Sequence, residues 1–141
     1  MRKPLPLLAL LLAMPFSVAV EAEDSRELVQ LPEMMQAHML QHMRDHLSAL
    51  NEIMTYLSAD DLDAAAITAE QRLGMSSMQA RGGGRMGQHM PEGMRAIAET
   101  MHRSASRFAL KAQEGDGLAA YKALLPVTSS CVACHTSYRI R

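Results

Sequence analysis

Aromatic side chains are scarce in this sequence, which has no tryptophan, two phenylalanines and three tyrosines. The apolar volume of the core therefore has to come from alanine, leucine and an unusual thirteen methionines, a composition that favours helices. An excess of positive charge is also missing, because the formal net charge is −1 and the bases are scattered among the acids. This charge pattern excludes the basic stripe that nucleic-acid binding requires.

Long apolar runs are lacking except at the N-terminus. There Arg2 and Lys3 precede an apolar stretch over residues 5–20, and small residues follow at the spacing of a cleavage site. We predict a signal peptide over residues 1–22 and a single mature domain over residues 23–141, exported to the periplasm. A membrane anchor is the alternative, but the stretch is short for a span and prolines interrupt it. After cleavage we expect no association with the membrane.

The spacing of apolar residues predicts an all-α domain, an antiparallel four-helix bundle. The predicted helices extend from Pro32 to about Ser58, from Asp61 to about Gln79, from Pro91 to about Ala112, and from Leu118 past Cys131. The apolar residues assigned to the core face of the first helix are Leu40, Met43, Leu47, Leu50, Met54 and Leu57. The glycine-rich run 81–85 predicts the longest loop, because glycine is unfavourable in helices. Pro126 predicts a kink or a short break in the last helix.

The only two cysteines lie in the motif Cys131-Val132-Ala133-Cys134-His135. On a helix, cysteines three residues apart share a face, and a histidine directly after the second can reach the same ligand. This CxxCH pattern is typical of covalent haem attachment, in which two thiols bind the haem and the histidine binds the iron. A disulfide or a thioredoxin-like pair is the alternative, but neither requires His135, and the βαβ pattern of thioredoxins is missing. We predict one covalently attached haem c.

The segment from Glu114 to Arg139 resembles the end of the class II cytochromes c, the cytochrome c prime family. Members of that family are four-helix bundles with a C-terminal CxxCH followed by a Tyr-Arg pair, which corresponds to Tyr138-Arg139. The resemblance implies corresponding roles for Cys131, Cys134, His135 and Arg139. The first helix departs from the family in one respect. Family members often place an arginine one turn before the distal residue, whereas the only arginine of this helix is Arg44. Arg139 itself either contacts a haem propionate or stays solvated.

Only six residues follow His135, so a second axial ligand has to come from an earlier helix. In the first helix three methionines recur at intervals of four beside three histidines with the same spacing, namely Met35, Met39 and Met43 beside His38, His42 and His46. Met43 also belongs to the predicted core face, so it is the first candidate for the distal side of the iron, with Met39 on the same ridge. Methionine ligation suits single-electron transfer with periplasmic redox proteins, whereas a methionine that only fills the core remains the alternative.

Two further functions use the same residues. If the methionine only packs over the iron, a five-coordinate haem binds small gases such as nitric oxide or carbon monoxide. Alternatively, the thioethers and imidazoles of the first helix bind copper together with Met86, His89 and Met90. An enzyme is the less favoured class, although His42 or His46 could serve a peroxidase as acid and base. The sequence leaves open whether the chain forms a homodimer.

Overall fold

The structure, a computed structural model, describes residues 23–81 and 83–141. The predicted signal peptide, residues 1–22, lies outside the described residues. The helices are α1 (Glu33–Ser58), α2 (Leu62–Arg72), α3 (Met75–Ala80), α4 (Gly83–Gly87), α5 (Glu92–Ala112) and α6 (Gly117–Ser137). Two short strands, β1 (Glu27–Leu28) and β2 (Tyr138–Arg139), pair in parallel, with Glu27 opposite Tyr138. The prediction of an all-α domain is confirmed, apart from this strand pair.

Local signals in the sequence set the ends of the long helices. Pro32 and Pro91 directly precede α1 and α5, the position where a missing N–H costs least. Asp61 and Asp116 cap α2 and α6, and each carboxylate accepts a 3.0 Å hydrogen bond from a backbone N–H three residues later. Gly115 adopts a φ of 82° in the turn after α5, a conformation that glycine adopts without strain.

The predicted second helix is two helices, because it breaks after Leu73. Gly74 is the N-cap of α3, and a Cβ at this position would lie 2.8 Å from the carbonyl oxygen of Glu70. The prediction that residues 81–85 form a loop is also wrong in part, because α4 begins at Gly83. Met86 on α4 packs against a buried apolar cluster, and this tertiary contact outweighs the poor helix propensity of the glycines.

The last helix, α6, continues through Pro126, so the predicted break is absent. Pro126 is exposed, and the hydroxyl of Ser130 donates to its carbonyl oxygen at 2.9 Å. Within the described part of the chain, α6 is the one helix that is long and apolar enough to cross a membrane by length and composition. Helices of soluble proteins pass the same test, so this finding carries little weight by itself.

The main core lies where α1 packs against α2, α2 against α5, and α5 against α6. Its largest fully buried side chains are Phe108, Ile53, Leu73 and Val127. Most of its other members are alanines, whose small side chains let the helices approach closely: Ala49, Ala65, Ala66, Ala69, Ala105, Ala109, Ala112 and Ala120. Alanine thus replaces the missing aromatic volume by shortening the distance that side chains have to fill.

The buried face of α1 overlaps the predicted one only in part, because Leu50 and Leu57 pack against the main core and Met43 against a second apolar cluster. Met39, Ala49 and Ile53 are buried, whereas the predicted core residues Leu47 and Met54 are 70% and 51% exposed. Between Met39 and Ala49 the positions on the buried face are His42 and His46, so the apolar spacing in the sequence does not mark this face. The observed core face of α1 is therefore shifted by about one residue from the predicted one, and its buried methionine is Met39 instead of Met43.

Candidate cofactor site

Methionines from three parts of the chain surround the C-terminal end of α6. Val29, Met39 and Met94 are buried there, at most 5% exposed. Partly buried residues pack against them: Leu31, Met43, Met86, Met90, Cys134, Tyr138 and Ile140. We call this group the methionine cluster. It brings both predicted methionines of α1, Met39 and Met43, into the same apolar region as the second cysteine of the CxxCH motif.

The two cysteines lie between the two apolar clusters, because Cys131 packs against the main core and Cys134 against the methionine cluster. Both are free thiols, and the sulfur of Cys131 donates to the carbonyl oxygen of Val127 at 3.4 Å. Burial raises the pKa of both thiols. Thiols of redox-active CxxC pairs usually have a lowered pKa, so this environment does not favour the thioredoxin-like alternative.

The strand pair holds the chain in place directly after the motif. The N–H of Val29 donates to the carbonyl oxygen of Arg139 at 2.8 Å, and the amide of Gln36 donates to the carbonyl oxygen of Ile140. Arg26 donates to the backbone carbonyl oxygen of His135 at 3.4 Å, while the His135 residue itself is exposed. These contacts anchor the backbone that carries the predicted iron ligand to α1 and to the N-terminal segment.

The side chain of Arg139 lies beside Asp24, with its Nε 3.6 Å from a carboxylate oxygen. Hydrogen bonds from Arg26 lower the pKa of Asp24, so this carboxyl is ionised at neutral pH. Arg139 Nε is nevertheless buried and has no hydrogen-bond partner among the described residues. The predicted propionate residue therefore has an ion-pair partner in Asp24, but no described group accepts a hydrogen bond from its Nε.

Four histidine rings form a row that continues from α1 to α5. The ring centroids of His38 and His42 are 4.1 Å apart, those of His42 and His46 are 6.5 Å apart, and those of His46 and His102 are 5.9 Å apart. Burial, together with the neighbouring charges of His102 and Arg81, lowers the pKa of His46 to about 4. His102 Nδ1 lies 2.7 Å from the carbonyl oxygen of Leu73.

Two neighbours of the histidines of α1, His102 and Arg81, were not predicted from the sequence. A buried face of α5 was predictable from its spacing, and His102 lies next to Met101 on the edge of that face. Arg81 gave no comparable signal, because it lies at the C-terminus of α3 in the run predicted to be a loop. One of its terminal nitrogens, Nη1, is buried without a hydrogen-bond partner among the described residues.

The structure brings together some of the residues predicted to bind copper. Met86 and Met90 pack in the methionine cluster with Met39 and Met43, whereas the histidines of α1 lie in the histidine row and His89 is exposed. Within the described ranges, no three or more His, Cys, Asp or Glu side chains are close enough to form a metal site.

Comparisons of the chain with protein-family models, with curated proteins and with solved structures found no match.

Proposed function

We propose that this chain is an exported cytochrome that carries one covalently attached haem c and transfers single electrons between periplasmic redox proteins. One observation carries the proposal: the only two cysteines and the adjoining His135 lie on the last turns of α6, beside a cluster lined by methionines. When bound, haem supplies one-electron redox chemistry, and the protein contributes attachment, axial ligation and burial.

The proposed architecture is a four-helix bundle of the cytochrome c prime type. Three long helices, α1, α5 and α6, supply three of its members, and α2 with α3 occupies the place of the remaining helix. In support, successive members pack against one another along the chain. The first and last members carry the residues assigned to the two sides of the iron.

The residues around the motif suit a haem. Unbranched thioether side chains adapt to an irregular apolar ligand, so the methionine cluster can accommodate a porphyrin next to Cys134. Cys131 and Cys134 would hold the haem through two thioether bonds, in which the sulfur and the proton of each thiol add across a vinyl group and no group leaves. Arg139 Nε, which lies beside Asp24 but makes no hydrogen bond to a described residue, provides a donor for a propionate carboxylate.

Within this proposal, His135 binds the iron on the proximal side and a methionine of α1 covers the distal side. Met39 has the stronger support, because it is 5% exposed and belongs to the buried members of the methionine cluster. Met43 is partly buried and packs against that cluster from one turn further along α1. The burial of the two side chains thus favours Met39, which the sequence placed second to Met43.

The attachment can be tested by producing the full chain in cells that have a cytochrome c maturation system and then denaturing it. We expect haem to stay bound to the denatured chain and to be lost after the double change Cys131→Ala and Cys134→Ala. A change at an exposed histidine away from the motif, His89→Ala, is the matched control and keeps the haem. Absence of covalent haem in the unaltered protein would refute the proposed function.

A further inference from the structure

Arg81 is a partly buried cation without a counter-ion in the described part of the chain. Its Nη1 atom is shielded from solvent and has no hydrogen-bond partner there, and the salt bridges among the described residues do not include it. An unpaired buried guanidinium donor is unfavourable, because it loses its hydrogen bonds to water without replacing them, so native proteins rarely contain one. The site lacks an acceptor, which for a guanidinium is best a carboxylate or a phosphate.

The groups that face Arg81 do not supply that acceptor. Its charge contributes to the lowered pKa of His42, His46 and His102, after burial as the main cause, so the guanidinium lies close to α1 and to α5. Asp45 is the one acidic group that acts on His42 and His46, and its carboxylate accepts from Gln41 at 3.1 Å. Since a carbonyl oxygen only accepts, His102 donates its Nδ1–H to Leu73, and its Nε2 cannot donate to an anion.

Arg81 is also close in sequence to residues of the candidate cofactor site. It begins the segment that continues through α4, and Met86 and Met90 of that segment pack in the methionine cluster. On α1, His42 lies between Met39 and Met43, one turn or less from each. An anionic group on the edge of a ligand held by Cys134 in the methionine cluster is therefore a candidate acceptor for Arg81.

We infer that Arg81 binds a propionate carboxylate of the haem. This inference rests on the proposed function, because the haem is the source of the anion. Arg81 then supplies a partly buried positive charge at the C-terminus of α3, whereas Arg44, the only arginine of α1, is exposed. A guanidinium can donate two parallel N–H groups to one carboxylate, which fixes the orientation of the porphyrin as well as its charge.

The test compares Arg81→Gln with Arg85→Gln in the haem-loaded protein. Arg85 is exposed and lies four residues further on, in α4, so the two changes remove the same charge from the same segment. We expect Arg81→Gln to lower the reduction potential more than Arg85→Gln does, because an unneutralised carboxylate stabilises the ferric state. We also expect the propionate bands of the resonance Raman spectrum to shift in Arg81→Gln alone.

Equal shifts of potential in the two variants, with unchanged propionate bands, would overturn the inference. If Arg81→Gln cannot be recovered in folded form, Arg81→Lys replaces it, since lysine keeps the charge but not the paired donors. Shifted propionate bands with a nearly unchanged potential would then support the inference, and unchanged bands would overturn it. Unaltered protein without covalent haem would instead refute the proposed function, so the two failures are distinguishable.

Discussion

Met39 and Met43 are separated by one turn of α1 but differ in their surroundings. Met39 is buried among Val29 and Met94, whereas Met43 lies at the edge of the same cluster. A thioether that ligates iron has to approach the porphyrin from inside the site, and this favours the buried residue. Which of the two methionines would bind the iron therefore depends on the burial of each side chain, and single substitutions can test it.

We predict that Met39→Ala abolishes the weak far-red absorption band that marks methionine ligation of ferric haem, while Met43→Ala retains it. Met34→Ala is the control, because Met34 is 85% exposed on the same helix. Loss of the band in Met43→Ala alone would restore the choice made from the sequence. A high-spin spectrum in the unaltered protein, with ready binding of carbon monoxide, would favour the gas-binding alternative.

His46 makes the stability of the protein sensitive to acid. It lies on the buried face of α1, seven residues after Met39 and seven before Ile53, and its pKa falls from the ordinary 6.5 to about 4. Below pH ~6.5 the unfolded chain binds a proton that the folded chain does not bind, so stability falls as the pH decreases towards 4. His42 and His102 act in the same direction, because their pKa values are also lowered.

We expect the free energy of unfolding to drop by about 2 kcal/mol from His46 alone between roughly pH 7.5 and pH 5. Urea unfolding of the haem-loaded protein at the two pH values measures this drop, and His46→Leu makes it smaller. His89→Leu, at an exposed position, leaves it unchanged. An equal drop in the unaltered protein and in His46→Leu would contradict the assignment.

Among the helices, α1 shows most clearly that the rotation of a helix about its own axis decides which of its residues are buried. Ile53 is fully buried in the main core, and Leu47 is 70% exposed, although both are large apolar side chains of the same helix. We predict that Ile53→Ala lowers the free energy of unfolding by about 2–5 kcal/mol and that Leu47→Ala changes it by less than about 0.5 kcal/mol. Thermal or urea unfolding decides the matter, and the reverse order would support the core face predicted from the sequence.

The contact between α5 and β2 depends on a glycine, Gly93, which has no side chain to collide with Tyr138. A Cβ at Gly93 would lie 2.5 Å from the hydroxyl oxygen of Tyr138, so Gly93→Ala has to displace the tyrosine that pairs with Glu27. We expect this change to destabilise the protein by about 1 kcal/mol, even though alanine is the better helix former by a similar amount. Gly84→Ala is the control, because its Cβ meets no atom within 4 Å and should stabilise α4. Equal effects of both changes in urea unfolding would argue against the contact.

On the scale of the whole molecule, the two apolar clusters differ in how far they can persist without the cofactor. The main core has fourteen buried residues, whereas the methionine cluster has three. Burial of apolar surface is the chief favourable term in folding, so the small cluster has little to hold it together alone. From the sequence we expect that a chain without both cysteines is poorly ordered. The structure limits the expected loss of order to the methionine cluster, which contains Cys134.

We predict that the haem-free variant Cys131→Ala, Cys134→Ala loses protection from hydrogen exchange in residues 83–91 and in the first turns of α1, while α2 and the second half of α5 stay protected. The haem-loaded protein, which is the reference, is protected at both ends because ligand binding stabilises the folded state. A haem-free chain that unfolds cooperatively with full helix content and uniform protection would contradict this prediction.

The sequence by itself determined the features that depend on neighbours along the chain. The CxxCH spacing, the N-caps at Asp61 and Asp116 and the turn at Gly115 are local, because they need only residues within one helical turn. The tertiary structure decided which face of α1 is buried, that a helix forms at Gly83, and that Arg81 and His102 join the histidines of α1. Those outcomes depend on packing between segments far apart in sequence, and periodicity carries no information about the partner that a helix face will meet.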